Sequence, residues 1–154
     1  MAISRATLAN GNGDGRGGTA AETATPRRDA GTGAARLMGA LWHVAICNDL
    51  AIFYTEENVR RVCAVVRAAR PSVILTHALQ DYMEDHMLTA RIAVTAAFAR
   101  GVPNYRSLPQ RTPYLEPCVL YHAMPHGQRP PTRRRFSPEA FVDPTDVPPR
   151  KRAA

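Results

Sequence analysis

Lysine is almost missing from this sequence. Of 20 basic residues only Lys151 is a lysine, and the rest are arginine. That bias reads as GC-rich codon usage more than as selection for a phosphate-binding surface. Cysteine is scarce too. Cys47, Cys63 and Cys118 are three in number and lack paired spacing, which excludes a disulfide framework and a structural zinc knuckle. A reducing cytoplasm is the location this implies. No apolar run approaches the roughly 20 residues that a membrane helix needs. The first residues carry one positive charge and no continuous apolar stretch, so no secretory signal is read there. Aromatic residues make up 6% of the chain, and few lie near the basic clusters Arg133-Arg134-Arg135 and Arg150-Lys151-Arg152. Despite a net charge of +7, nucleic acid is therefore not the expected partner, because stacking platforms are wanting beside the arginines. A Gly-Lys-Ser/Thr run, a nucleophile elbow and a recognisable triad order are absent as well.

What is present is a soluble-type composition, 45% hydrophobic over 154 residues, enough for one domain with a real core. Residues 2–9 can form a short strand. Residues 10–19 are a glycine-rich loop, because so many residues free to take positive φ do not sit in a regular element. A helix is expected from Thr25 as N-cap, with Pro26 at its first position and Gly39 beyond its end. Residues 41–54 suit an extended apolar segment. The clearest helix is 56–69, capped by Thr55, with Glu56 and Glu57 at its positive end and Val59, Val62, Cys63 and Val66 on one face. Pro71 ends that pattern, and residues 72–76 read as a strand buried on both faces. A second long helix over about 85–99 places His86, Ala90, Ala93 and Ala97 along one stripe, and a last strand is expected at 118–122.

After residue 123 prolines crowd among arginines, from Pro125 to Pro149. Residues 1–126 are thus expected to form an α/β domain, and 127–154 a Pro/Arg-rich loop with a disordered tail. The alternation of strands and helices predicts a three-layer, Rossmann-like fold with a mostly parallel sheet and helices on both faces.

Two stretches carry candidate chemistry. Gly13-Asp14-Gly15-Arg16-Gly17-Gly18 is formally a dinucleotide fingerprint. It lacks a confident strand before it and a helix opening cleanly at Thr19, so a mobile loop is the better reading. The stretch from Arg70 to His86 is richer. A short strand ends in Thr76-His77, and a polar connection brings Asp81, Glu84, Asp85 and His86 to a helix start, where open α/β sheets gather chemistry. Asp85 can serve the helix dipole with His86 an ordinary first-turn residue, or His86 can ligate a metal with the carboxylates orienting it. His77 is either a neighbour of that site or a satisfied histidine. His43, His122 and His126 have no ligand spacing to one another, and Cys63 reads as core packing.

The same residues resemble a known family. Arg70-Pro71-Ser72-Val73-Ile74-Leu75-Thr76-His77 and Asp81-Tyr82-Met83-Glu84-Asp85-His86 look like the second signature of the LmbE-like (PIG-L-like) zinc-dependent N-deacetylases. Asn10-Gly11-Asn12-Gly13 is similar to the family's Asn-Gly loop. Arg27, followed by Arg36-Leu37-Met38-Gly39, resembles its arginine-bearing helix, and Asp49 in Asn48-Asp49-Leu50 stands where members place a sugar-binding acid. Phe141-Val142-Asp143 resembles a late segment. The resemblance implies His86 as a zinc ligand, Asp85 as its supporting carboxylate, and Arg27, Asp49 and His77 as substrate contacts. The implied substrate is an N-acetylated amino sugar or related conjugate. Met83 departs from the histidine many members carry there.

The family's first motif, a His-Pro-Asp-Asp-Glu run supplying two ligands and the base, has no counterpart in this sequence. The resemblance therefore implies a first strand before residue 1, a truncated reading frame, and weak or absent zinc binding. An unpaired sheet edge would also favour homo-oligomers. The competing expectation is a non-catalytic member that binds a sugar or partner without metal.

Overall fold

The computed structural model describes residues 2–13, 18–129, 131–132 and 135–145. It is an α/β structure whose elements divide between two compact units, Met1–Ala51 with Pro138–Ala154, and Ile52–Ser137. Each unit contains a two-stranded ladder, and both ladders are parallel. A parallel pair needs a crossover, and in each unit a helix supplies it.

In the first unit β1 (Ile3–Ala6) pairs with β2 (Ala40–His43), Ile3 opposite Ala40, and α1 (Ala20–Leu37) connects them. The helix starts earlier than its sequence predicts. Thr19, not Thr25, is the N-cap: its side chain accepts from the Glu22 amide while the Glu22 carboxylate accepts from the Thr19 amide. This reciprocal capping box satisfies two orphan donors and outweighs Pro26, which lies inside the helix. The helix thus opens directly after the glycine loop, contrary to the sequence expectation at Thr19. Residues 14–17, the middle of the formal fingerprint, lie outside the described residues.

In the second unit α2 (Glu56–Ala69) follows its sequence pattern. Thr55 accepts the Asn58 amide at 3.2 Å, and the helix ends at Arg70, whose φ of 45° lies in the left-handed region, just before Pro71. Strand β3 (Val73–Thr76) pairs with β4 (Val119–His122), Val73 opposite Val119, around α3 (Glu84–Ala99). The core of this unit lies between the two helices. Helices α2 and α3 pack on each other; Val59, Val62 and Val66 of α2 and Ala90, Ile92 and Ala96 of α3 are buried, with Cys63 and Ile92 fully so. Burial of each valine or isoleucine contributes about 1.5–3 kcal/mol. Burial also pushes the Cys63 thiol up, with Arg67 opposing, so Cys63 is packing as expected.

Two sequence expectations change here. Strand 72–76 is not buried on both faces: Val73 and Leu75 are exposed, and only Ile74 and Thr76 are half-buried. An apolar run marks a strand but does not say how many faces are covered. On α3 Ala90 and Ala97 of the expected stripe are buried, but Ala93 and His86 are only half-buried, and Ile92, Ala96 and Ala99 take their place in the core.

Candidate functional site

Strand β3 ends at Thr76 and delivers His77 to the start of a loop. A side-chain contact holds that point, because Nδ1 of His122, at the end of β4, lies 2.6 Å from the His77 carbonyl oxygen. The loop then turns on Asp81. Its Oδ1 accepts the Met83 amide at 3.1 Å, the local bond typical of an aspartate two residues ahead of its donor. The same Oδ1 lies 3.1 Å from Nδ1 of His86 in the first turn of α3. Asp81 is 2% exposed, so it pairs with the imidazole away from water.

His77 closes the group. Its ring stacks on that of His86, with centroids 4.2 Å apart and planes at 5°. Tyr82 stands edge-on to His86 at 5.7 Å and near His126 at 6.1 Å. Desolvation holds His77 below the ordinary imidazole range. The neighbouring His86 pushes the same way, and Asp81 opposes. A neutral imidazole is the form that ligates metal. One ligand atom from each of His77, Asp81 and His86 falls within 4.8 Å of the others. Two imidazole nitrogens and a carboxylate oxygen are donors that suit zinc, so these side chains fit the metal that the sequence resemblance implies.

The first unit holds a different cluster. Asp49 accepts the Gly11 amide at 3.1 Å and the Gly13 amide at 2.8 Å, and its own amide donates to Asn12 Oδ1 at 2.9 Å. Both carboxylate oxygens thus hold the Asn-Gly loop. A cavity of about 640 Å³ lies beside it, with Arg5, Arg27, Arg28, Trp42 and Asp49 among its walls. The stem of Arg27 runs against Gly11, where an added Cβ would come within 2.9 Å of Arg27 Cγ. Arg5 lies over the Trp42 ring at 5.4 Å.

Of the residues singled out in the sequence, His77 and His86 come together in one unit, with Asp85 buried in the first turn beside them. Arg27 and Asp49 come together in the other, on one cavity wall. Asp81 is the residue whose weight the sequence reading missed. Its signal was its place three residues before the helix start, where an acidic side chain can accept the Met83 amide and still reach the first-turn histidine.

A family model described as PIG-L, GlcNAc-PI de-N-acetylase, matches residues 2–97. No curated protein matches the sequence significantly. Among solved structures, the 4-carboxy-2-hydroxymuconate hydratase GalB of Pseudomonas putida is similar with a TM-score of 0.81 and 24% identity, over 99% of this chain and 64% of that one. An N,N'-diacetylchitobiose deacetylase of Pyrococcus horikoshii aligns with a TM-score of 0.72 and 19% identity, over 95% of this chain and 54% of its own. A conserved protein of Thermus thermophilus follows at 0.65 and 20%, over 89% and 56%. The chain therefore spans between 54% and 64% of the length of these structures. At such identities the likeness is one of fold.

Proposed function

Because the chain belongs to the PIG-L family, we propose that it serves hydrolytic removal of an acetyl group from the nitrogen of an amino sugar or related conjugate, with zinc as cofactor. The observation that supports this best is the His86 group: an imidazole at a helix start, backed by a buried carboxylate, inside the segment that the family model covers. When bound, zinc supplies Lewis acidity toward an amide carbonyl. His86 would hold it. Asp81 presents its Oδ1 3.1 Å from Nδ1 of that ring, and Asp85, buried in the same turn, is read as the supporting carboxylate. His77 shields one face of that ring. In the first unit, Arg27 is read as a substrate contact, and Asp49 as the residue that holds the Asn-Gly loop in shape for it.

The test is release of free amine from N-acetylglucosamine-containing substrates, followed with and without added zinc. Amine that appears with zinc and vanishes with a chelator supports the reading. Ligand binding that is indifferent to both metal and His86 would favour a non-catalytic sugar-binding member instead.

One observation favours a second reading. The arginines on the cavity wall suit a carboxylate-bearing substrate, and a hydratase of a carboxylated compound shares the fold. Loss of ultraviolet absorbance from an unsaturated dicarboxylic acid, without release of amine from any acetylated sugar, would support it.

A further inference from the structure

We propose that His77, Asp81 and His86 together hold one divalent metal ion, so that the second unit carries a complete three-donor site of its own. This rests on the reading of His86 as a metal ligand and adds the other two donors, neither of which comes from the first unit.

The spacing carries the argument. Tetrahedral zinc with nitrogen and oxygen ligands at about 2.0–2.1 Å sets its ligand atoms roughly 3.3 Å apart. Asp81 Oδ1 and His86 Nδ1, at 3.1 Å, already stand at that separation. The whole group lies within 4.8 Å, so closing it needs about 1.5 Å of movement at most to reach that geometry. The movement falls on His77. Two parallel rings send their lone pairs along parallel planes, which do not converge, so His77 must tilt out of the stack. It can do so: the residue is exposed overall, its backbone is anchored by His122, and rotation about χ2 of a histidine is soft.

Asp81 supplies an independent reason. A carboxylate 2% exposed is costly unless charge and hydrogen bonds compensate it. Met83 provides one hydrogen bond and His86 a ring nitrogen. A cation between Asp81 and the two histidines would add to that compensation. Three protein donors with the His77 side open to solvent leave a fourth position for a small molecule, which is the arrangement of a catalytic rather than a structural zinc.

The test is zinc titration of the chelator-treated full chain by calorimetry, with the visible spectrum of the cobalt-loaded chain as a second readout. One ion per chain is expected, with a tetrahedral cobalt spectrum. His77→Ala, Asp81→Asn and His86→Ala should each weaken binding by at least about tenfold, the low end of what even a supporting partner costs. His77 is exposed and Asp81→Asn keeps an oxygen for the Met83 amide, so both variants should fold, which circular dichroism checks. Binding intact in His77→Ala and Asp81→Asn but lost in His86→Ala would overturn the three-donor site and leave the deacetylase reading standing. Binding unchanged in all three would overturn both.

Discussion

Arg67 of α2 donates from Nη2 to the Ala99 carbonyl oxygen at the end of α3, 3.0 Å away. Its other bonds go to the carbonyls of Arg100, Val102 and Arg111, at 2.9 to 3.1 Å, and the side chain is buried at 4% exposure. One guanidinium thus satisfies the carbonyls at a helix end and the turn beyond it. Arg67→Met should destabilise the second unit by about 3–5 kcal/mol, because it orphans several buried acceptors at once. Arg67→Lys should recover little, since an ammonium lacks the planar fork. Urea unfolding followed by circular dichroism measures both.

Asp49 makes a comparable clamp in the first unit. Asp49→Ala should cost about 1–2 kcal/mol, since two amides lose their acceptor at a partly exposed site. Asp49→Asn, with one oxygen left, should recover about half of this loss. Trp42 is the single tryptophan, so its fluorescence in a urea titration reports on this unit alone.

Gly31 tests the packing of α1 on the strands. A Cβ there would lie 2.5 Å from Cη2 of Trp42. Alanine gains roughly 1 kcal/mol of helix propensity over glycine. The clash costs about 1–3 kcal/mol in a packed site, so crowding should win. Gly31→Ala should lower stability and shift the Trp42 emission together.

His43 sets an acid limit. Its Nε2 is buried with no partner among the described residues, and desolvation holds its pKa below the ordinary 6.5. The unfolded chain then binds more protons than the folded one as pH falls through 6.5, so stability should decline on acidification and level off below the folded pKa. The contribution is complete above 6.5. His43→Leu should flatten the stability profile between pH 7 and 5, as measured by urea midpoints; an unchanged slope would assign the acid loss elsewhere.

How far the sequence discloses this structure depends on the scale of each signal. Helix α2 is legible because Thr55, the acidic first turn and the valine stripe all agree over one segment. Helix α1 is misplaced because Pro26 is a loud local signal, whereas the Thr19–Glu22 box depends on two side chains reaching back at once. The exposure of Val73 and Leu75 is not legible, since coverage of a strand face is decided by elements distant in sequence. At the site, the histidines stand out by type. The role of Asp81 depends on one loop conformation that aims its carboxylate at both Met83 and His86.

The central claim is that the His86 group serves hydrolysis of an acetylated amine. The most direct measurement is mass spectrometry of acetate released from an N-acetylated amino sugar in water enriched in oxygen-18, using the zinc-loaded chain and its His86→Ala variant. Acetate carrying one heavy oxygen, formed by the native chain and reduced by orders of magnitude in the variant, is the predicted result. Absence of acetate with every N-acetylated sugar tried, or equal release by the variant, would contradict the account.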